Sequence, residues 1–394
     1  MAWIREDYCV ESCLVHGIHL NMSESIELLK SLIRIPSVNP VYGGAGELQV
    51  QGFVENWLSE RGIAYRLQEV FPGRNNVVAR IGPVDKQAIL IEAHMDTVGV
   101  EGWAMGAPFE PVEKDGRLYG RGACDTKASL TTFLLLAESL AERESELKHA
   151  LLFAATVDEE SQQQGAFKLS EWVEEMNVGA ALTGEPTRSE VVTKHKGACR
   201  YSIEASGKAA HGSTPELGEN AIYKIARIAE KLNRCGVLMS QEQSLPFIER
   251  GSLNVGKIGG GIGFNIVPDN CSIELDRRLG VHEAIESVRQ GIDFIVNSES
   301  GVSVSSFLER PALNTENGHW FPQALEASAR KHGVAEGFRE VAFMTNGVAY
   351  SSVGVPTVVF GPGDIAQAHK TDEHIELGEI ERSLAILKGL FLDE

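Results

Sequence analysis

The sequence predicts an α/β fold in which a mostly parallel mixed sheet is flanked by helices and interrupted by a smaller, inserted α+β domain. Between residues 22 and 195, buried apolar runs alternate with amphipathic helical segments, a rhythm typical of a parallel sheet. Between residues 196 and 309, strands instead alternate apolar and polar residues, which indicates a sheet with one solvated face. The first pattern returns in residues 310–394, so we expect the second domain to be an insertion into the first.

The individual elements follow from the period of the apolar residues. Residues 1–21 show neither a helical nor a strand period, and we expect them to form a loose extension. In the first domain the pattern predicts, in order, a helix from residue 22, a helix over 50–62, strands at NNVVARIG and QAILIEAHMDTVG, a helix over 127–142, and strands at LLFAATVDEE and AALTGEPT. In the insertion it predicts a strand at YSIEASG, a helix over 219–233, strands at LNVGKIGGG and NCSIELDRRLG, and a helix at HEAIESVRQGIDFIV. In the last segment it predicts a buried strand at GVPTVVFGPG.

Composition bounds the class of protein. The 394 residues are 43% hydrophobic and 23% charged, with a formal net charge of -19. These values are typical of a soluble globular protein of two domains, and the negative charge argues against nucleic acid and anionic membranes as partners. No apolar run reaches the roughly 18 residues of a membrane span. The six cysteines form no C-x-x-C pair, so we expect no thiolate metal site, no disulfide framework and a reducing, cytoplasmic setting.

Acidic and histidine side chains stand at the ends of predicted strands or in the turns that follow. They are His94 and Asp96 in HMD, Asp125 in GRGACDTK, Glu159 and Glu160 in DEE, Glu185 in GEP, and His369 in GPGDIAQAH. Ligand sites of such sheets lie at the carboxyl ends of the strands. Imidazoles and carboxylates without thiolates suit zinc or another borderline divalent ion, and a bridging carboxylate would allow a two-metal hydrolytic site. Taken singly, Asp96 has an alternative as a turn residue and Asp125 as a helix N-cap.

These motifs, with AHGSTPELGENAI in the insertion, resemble the dinuclear zinc hydrolase family of acetylornithine deacetylase, succinyl-diaminopimelate desuccinylase, aminoacylase and carboxypeptidase G. The resemblance extends from Met22 to the C-terminus. It implies a zinc-exopeptidase-like catalytic domain made of residues 22–195 and 310–394, and a lid domain, residues 196–309, through which two copies of the chain dimerise. KHKG and GPGDIAQAHKTDEH are most similar to the acetylornithine deacetylase branch.

The resemblance also implies two divalent metal ions, zinc in the first place, with cobalt or manganese as alternatives. One ion would be bound by His94, Asp125 and Glu185. The other would be bound by Asp125, Glu160 and His369, so that Asp125 bridges the pair.

Glu159 would act as the general base, taking a proton from a metal-activated water and passing it to the leaving amine. Asp96 would accept a hydrogen bond from the far ring nitrogen of His94 and fix its tautomer. Neighbours on an extended chain point to opposite sides, so Glu159 and Glu160 would have separate tasks. Asp158 would face away from the metals and have no catalytic role.

In the insertion, the resemblance implies that His211 reaches the active site of the partner subunit and donates to the tetrahedral oxyanion. A plain loop histidine remains the alternative. Asn265 and Arg278 would lie near the substrate, and the planar guanidinium of Arg278 would clamp the substrate carboxylate. Its neighbour Arg277 would face solvent.

Two features concern the choice of substrate. The backbone N–H groups of Gly361 and Gly363 would face the substrate carboxylate, with a plain tight turn as the alternative. After Thr345 the deacetylases commonly carry an acidic residue, whereas this chain has Asn346. Because an acid there would suit the amino group of an ornithine-like substrate, its absence weakens that assignment.

The predicted activity is hydrolysis of the amide bond of an N-acyl amino acid, as in acetylornithine deacetylase, which would place the enzyme in amino-acid biosynthesis, in particular that of arginine. A carboxypeptidase, a dipeptidase or a succinyl-diaminopimelate desuccinylase on the same scaffold remains the alternative, because each needs a free carboxylate beside the scissile amide. A non-catalytic binding protein is disfavoured, since every matched position is intact. The expected partners are a small N-acyl amino acid or short peptide and a second copy of the chain.

Overall fold

The structure is a computed structural model that describes residues 22–393. The predicted extension, residues 1–21, lies outside the described residues. The described chain divides into two compact units. The larger unit comprises residues up to 193, residues 315–339 and residues from 345 onward, and the smaller unit comprises residues 194–314 and 340–344. The predicted insertion, residues 196–309, falls within the smaller unit, and its roles as a lid and in dimerisation stay predictions.

The helices and strands are numbered along the chain. The helices are α1 (Met22–Ile33), α2 (Leu48–Glu60), α3 (Lys127–Ala141), α4 (Gln164–Ser170), α5 (Ala221–Gln241), α6 (Ile285–Val296), α7 (Trp320–Lys331), α8 (Gly347–Ser351) and α9 (Glu379–Phe391). The strands are β1 (Tyr65–Phe71), β2 (Arg74–Ile81), β3 (Ala88–His94), β4 (Val112–Lys114), β5 (Arg117–Tyr119), β6 (Ala150–Thr156), β7 (Val178–Thr183), β8 (Val192–His195), β9 (Gly197–Ser206), β10 (Ala210–His211), β11 (Ser252–Gly260), β12 (Ile266–Val267), β13 (Asn270–Leu279), β14 (Val302–Arg310), β15 (Leu313–Asn314), β16 (Arg339–Val341), β17 (Thr357–Val359) and β18 (His374–Glu376). Each predicted helix and strand has a counterpart, although α5 continues to Gln241, past its predicted end at residue 233.

The central sheet of the larger unit confirms the predicted fold class. Its strands follow the order β1-β2-β6-β3-β7-β17-β8, and β6, β3, β7 and β17 run parallel in the middle. β2 and β8 pair antiparallel at the two sides of this parallel core. β1 and β2 also pair antiparallel and are joined by a short turn, so the sheet is mixed, with a parallel centre.

Helices cover both faces of the central sheet. Ile89 and Ile91 of β3 pack into the cluster that includes apolar residues of α1, α3 and α9. Leu90, which points the other way, packs into a second cluster with residues of α4 and α8. Alternate residues of a strand face opposite sides, so a strand that is buried along its whole length, as β3 is, needs a layer on each side. The carboxyl ends of β3, β6 and β7 lie side by side, with His94 opposite Thr156 and Glu92 opposite Thr183.

The smaller unit contains an antiparallel sheet in the order β11-β13-β9-β14. One face carries a core in which Tyr201 and Ile203 of β9 pack against Ile225 and Ile228 of α5, with α6 beside them. Residues on the opposite face of β13 are only half-buried or exposed, as the alternating pattern predicts. A short ribbon of β10 and β12 pairs His211 with Ile266.

Two sequence expectations concern the whole described chain. In residues 22–393 no helix has the length and apolar character that crossing a membrane requires. The cysteines of this range are free thiols, namely Cys124, Cys199, Cys235 and Cys271. The expectation of no disulfide framework therefore holds for these four residues, while Cys9 and Cys13 lie outside the described range.

Candidate metal centre

The predicted site residues of the larger unit gather at the carboxyl edge of the central sheet. His94 ends β3, and Glu185 follows β7. Glu159 and Glu160 follow β6, Asp125 stands just before α3, and His369 follows the 3-10 turn Ile365–Gln367. Loops after parallel strands meet at one edge, so residues from distant parts of the sequence become neighbours there.

Asp125 lies between the two histidines. Its Oδ1 is 3.2 Å from Nε2 of His94, and its Oδ2 is 3.4 Å from Nε2 of His369. Glu185 completes the first side, with Oε1 3.8 Å from the same nitrogen of His94. Glu160 completes the second side, with Oε2 3.2 Å from Nε2 of His369. The two carboxylate oxygens of Asp125 therefore serve two separate sets of side chains.

Glu159 also lies among these ligand atoms. One of its carboxylate oxygens is within 4.8 Å of ligand atoms of both His94 and Glu185, and Nε2 of Gln163 donates to its Oε1 at 3.2 Å. Burial raises the pKa of Glu159 to about 8, and the charges of Glu160 and Asp125 act in the same direction. Its position allows either ligation or proton transfer.

The charges of the site fit a cation. Burial and the charge of Asp125 raise the pKa of Glu160 to about 7, and burial raises the pKa of Glu185 well above its usual value. Hydrogen bonds to Asp125 and Glu160 raise the pKa of His369 to about 11, because the carboxylates around the imidazole favour a positive charge. Oε1 of Glu160 is buried without a hydrogen-bond partner among residues 22–393. Buried carboxylates that repel one another, combined with imidazole nitrogens, are a donor set that suits a borderline divalent ion.

Asp96 makes more contacts than the predicted one with His94. Nδ1 of His94 is 2.9 Å from the main-chain carbonyl oxygen of Asp96 and 3.5 Å from its carboxylate. That carboxylate also accepts the backbone N–H groups of Glu159 and Glu160 at 3.1 and 3.0 Å. It also accepts Nδ2 of Asn39 at 2.7 Å. Asp96 thus holds the turn that presents both glutamates.

The backbone conformation at Glu159 and Glu160 differs from the extended one that the sequence predicts. Glu159 and Glu160 were expected to diverge because neighbours alternate on an extended chain. β6 ends at Thr156, and Asp158 has a positive φ of 72°, so the two glutamates lie in a turn. Both carboxylates approach His94, and the turn, not the alternation of a strand, sets their positions.

Sequence reasoning missed the residues that support this turn. Glu47 is fully buried and accepts both Nε and Nη2 of Arg74, at 2.6 and 2.7 Å. Its Oε1 also accepts the backbone N–H of Asp158 at 3.1 Å. The carboxylate of Asp158 accepts the N–H of Gln164 at 3.3 Å, a structural contact. No motif marks Glu47, Arg74 or Asn39, because each acts through a contact with a distant part of the chain.

The two glycines predicted to face the substrate carboxylate need correction. The N–H of Gly361 donates to Oγ1 of Thr187 at 3.1 Å, and the N–H of Gly363 donates to Glu379. Both N–H groups are therefore already used within the protein. A Cβ at position 361 would lie 2.6 Å from the carbonyl oxygen of Glu185. Glycine is needed there because the loop passes close to the backbone that presents Glu185.

Asn346, which stands where an acid was expected, is fully buried. Its Nδ2 donates to Oε1 of Glu92 at 2.8 Å and is 3.3 Å from Oγ1 of Thr156. A buried acid is thus present, but on β3 instead of at position 346. The side-chain amide of Asn346 is therefore bonded within the interior of the protein.

His211, Asn265 and Arg278 belong to the smaller unit. Nδ1 of the exposed His211 accepts the N–H of Ser213 at 3.2 Å, and the N–H of Gly212 donates to the carbonyl oxygen of Asn265 at 2.8 Å. His211 and Asn265 are therefore held together by the ribbon of β10 and β12.

One of the two neighbouring arginines of β13 differs from its prediction. Arg277 is only 4% exposed and pairs with Glu283, so the prediction that it faces solvent is wrong. The side chain of Arg278 is 30% exposed, with Nε 2.8 Å from Asp276. The reason is register, since alternate residues of β13 face the helices, and Arg277 lies on that covered side.

Fold and candidate centre together define a metal-dependent hydrolase of the α/β class. The chain belongs to the peptidase family M20/M25/M40, whose model matches residues 90–393. It is 31% identical over 319 residues to an acetylornithine deacetylase of Myxococcus xanthus, covering 77% of this chain and 79% of that protein. It is 28% identical over 387 residues to an acetylornithine deacetylase of Proteus mirabilis, covering 95% and 97% of the two chains.

Solved structures of the same family share the fold. An M20 family metallo-carboxypeptidase from Sulfolobus solfataricus superposes with a TM-score of 0.78 at 18% identity, covering 93% of this chain and 98% of that one. The relatives therefore include both a named deacetylase and a named carboxypeptidase. The chain is a hydrolytic enzyme of this family.

Proposed function

We propose that this chain is a dinuclear metal amidohydrolase that removes the acyl group from an N-acyl amino acid. The arrangement of Asp125 carries the proposal, because its two carboxylate oxygens lie 3.2 Å from Nε2 of His94 and 3.4 Å from Nε2 of His369. A carboxylate shared in this way suits two ions a few ångströms apart, a known hydrolytic arrangement.

The residues that would hold the ions are divided by these distances. His94, Asp125 and Glu185 would hold one ion, and Asp125, Glu160 and His369 would hold the other. Zinc fits this set of nitrogen and oxygen donors, and cobalt or manganese can replace it where available. When bound, such ions polarise a carbonyl group and lower the pKa of a bound water.

Glu159 would move the proton. Its carboxylate lies beside His94 and Glu185 and is oriented by Nε2 of Gln163. From that position it would accept a proton from the attacking water and deliver it to the amine nitrogen that leaves. The backbone of Glu159 is held by Asp96, so the carboxylate is presented from a fixed turn.

His211, Arg278 and Asn265 would complete the site of the partner subunit in a homodimer. Nδ1 of His211 is engaged by Oγ and the N–H of Ser213, at 2.7 and 3.2 Å, which leaves Nε2 as the ring atom that would donate to the oxyanion. Arg278 would bind the substrate carboxylate through its planar donors. Ile262 and Phe264, on the same loop as Asn265, are 87% and 105% exposed, which supports an association of this loop with another chain.

The substrate class follows from the relatives and from position 346. The deacetylase and carboxypeptidase names share the cleavage of an amide bond, and a carboxylate beside that bond would suit Arg278. Because Asn346 is buried against Glu92, nothing at that position favours ornithine over other amino acids. We therefore propose N-acyl amino acids as a class, with N-acetylornithine and a role in arginine biosynthesis as one case. The free cysteines support a reducing, cytoplasmic setting.

A substrate panel with metal analysis tests the proposal. The purified chain is expected to bind two divalent ions and to hydrolyse N-acetyl amino acids faster than dipeptides. The panel includes N-acetylornithine, N-succinyl-diaminopimelate and dipeptides, each with added zinc or cobalt. A Glu159→Gln preparation made in parallel shows whether any activity comes from a contaminant. Fewer than two bound ions, or faster cleavage of dipeptides, contradicts the proposal.

A further inference from the structure

Glu373 is a fully buried carboxylate that lies four residues beyond His369 in the sequence. Its oxygens accept donors from one short loop, the loop that leads to Asp125. Oε2 accepts Nη1 of Arg121 at 2.7 Å and the N–H of Gly122 at 3.1 Å. Oε1 accepts the N–H of Cys124 at 2.8 Å and the N–H of Asp125 itself at 2.9 Å.

These contacts join two segments that are far apart in the sequence. The carbonyl oxygen of Glu373 also accepts the N–H of Gly120 at 3.1 Å. Directly beyond, β18 pairs with β5, with His374 opposite Tyr119. β5 leads into the loop of Asp125, and β18 follows the loop of His369. Glu373 therefore lies where hydrogen bonds join the loop of Asp125 to the loop of His369.

The ion pair between Arg121 and Glu373 is buried, unlike an ordinary surface ion pair. The side chains of Arg121 and Glu373 are only 3% and 1% exposed. A buried carboxylate is costly unless it is paired and its oxygens accept hydrogen bonds. Here both oxygens accept two donors each, so the loop can close around the carboxylate only in one arrangement.

We propose that Glu373 is a positioning residue for the metal site that His369 completes, because it sets the separation between the loops of Asp125 and His369. This inference rests on the proposed two-metal function. The first site takes His94 from the end of β3 and Glu185 from just beyond β7, strands that the central sheet holds in register. His369 lies on a loop, and its side chain is 57% exposed. Its distance from Asp125 therefore depends on the hydrogen bonds that Glu373 makes.

The test is metal binding by a Glu373→Gln variant of the full chain. Glutamine keeps the shape, but whichever way its amide turns, one of the two pairs of donors meets an NH2 group. The metal-stripped protein is titrated with Co²⁺, and the two binding steps are measured separately. A His369→Ala variant identifies the binding step that belongs to the site of His369, which we expect to be the weaker of the two because His369 lies on a loop. In Glu373→Gln we expect this step to weaken a further 10- to 100-fold, the usual effect of losing a residue that orients a ligand. The tighter step is expected to change by less than about three-fold, because its ligands other than Asp125 are held by the sheet.

Three controls separate positioning from other effects. Glu376→Gln removes the same charge from β18, where Glu376 pairs with the exposed Arg117, and should change neither step. Leu384→Ala removes a buried side chain of α9 and should lower the melting temperature without changing the weaker step selectively. The double variant Arg121→Gln/Glu373→Gln restores charge balance and should remain weak. If it regains normal binding, the effect is electrostatic and the inference is wrong.

The remaining outcomes also decide for or against the positioning role of Glu373. If Glu373→Gln does not fold, Glu373→Asp withdraws the carboxylate by one methylene while keeping its charge, and should weaken the same step by a smaller factor. Two unchanged steps, or equal weakening of both, overturn the inference while leaving the two-metal proposal intact. A wild-type chain that binds fewer than two ions overturns the proposed function instead.

Discussion

Glu159 and Glu160 are neighbours in the sequence with different surroundings. Oε2 of Glu160 lies 3.2 Å from His369, whereas Glu159 lies beside His94 and Glu185. Asp96 accepts the backbone N–H of both, so one residue holds the backbone that presents the two carboxylates. At the scale of single residues, the proposed division between proton transfer and metal binding depends on this turn.

Replacing each glutamate by glutamine tests that division. Glu159→Gln should lower kcat by on the order of 10²–10⁴, since a lost general base typically has that effect, and should leave the metal content near that of the wild type. Glu160→Gln should instead lose one of two ions. Both are followed by steady-state kinetics and elemental analysis of the same preparations. Loss of an ion from Glu159→Gln would identify Glu159 as a ligand.

At the scale of elements, β3 carries the candidate ligand His94 at its end and the buried acid Glu92 two residues earlier. Glu92 accepts Asn346 at the start of α8 at 2.8 Å, and burial raises the pKa of Glu92. The strand and the helix are therefore joined by an acid and an amide.

Exchanging the two residues tests this junction. Asn346→Asp alone places a second carboxylate against Glu92 and removes the donor, and should cost about 2 kcal/mol or more of unfolding free energy. Adding Glu92→Gln restores an acid–amide pair in reverse, and should recover about 1–2 kcal/mol of that loss through their coupling. Denaturant unfolding of both single variants and the double variant measures the cycle. Unchanged stability in Asn346→Asp, with a gain specific to N-acetylornithine, would mean that position 346 serves the substrate.

At the scale of the whole molecule, the candidate residues lie on two units of the chain. The metal centre belongs to the larger unit, while His211, Asn265 and Arg278 belong to the smaller one. The proposed homodimer would bring His211 of one chain to the metal centre of the other. In a two-fold dimer both sites are completed in the same way.

Mixing two inactive variants tests completion across the dimer. His211→Ala should lower kcat strongly, because one oxyanion donor typically contributes about 2.7–4 kcal/mol. After subunit exchange with Glu159→Gln, a mixed dimer would hold one site with both defects and one with neither. Equal amounts should recover about one quarter of wild-type activity, since about half the dimers are mixed and each has one intact site. Exchange without recovered activity would show that His211 does not act across the dimer.

The sequence by itself determined the class of fold and the set of candidate ligands. Apolar period distinguishes a strand buried on both faces from an amphipathic helix, and it predicted the parallel core and the antiparallel sheet of the smaller unit. A His or a carboxylate after each strand indicates a site, because parallel strands end at one edge. The structure places His94, Asp125, Glu185, Glu160 and His369 at that edge.

Only the tertiary structure decided what holds those ligands and what their neighbours do. Glu373 meets Arg121 across 252 positions of sequence, and Asn346 meets Glu92 across 254, separations over which no local period carries information. Whether the backbone N–H groups of Gly361 and Gly363 could bind a substrate depended on hydrogen-bond acceptors in other segments. The burial of Arg277 depended on the register of β13. Local patterns record which face of an element is apolar. They do not record the partners of a buried polar group, because folding brings those partners together from distant parts of the chain.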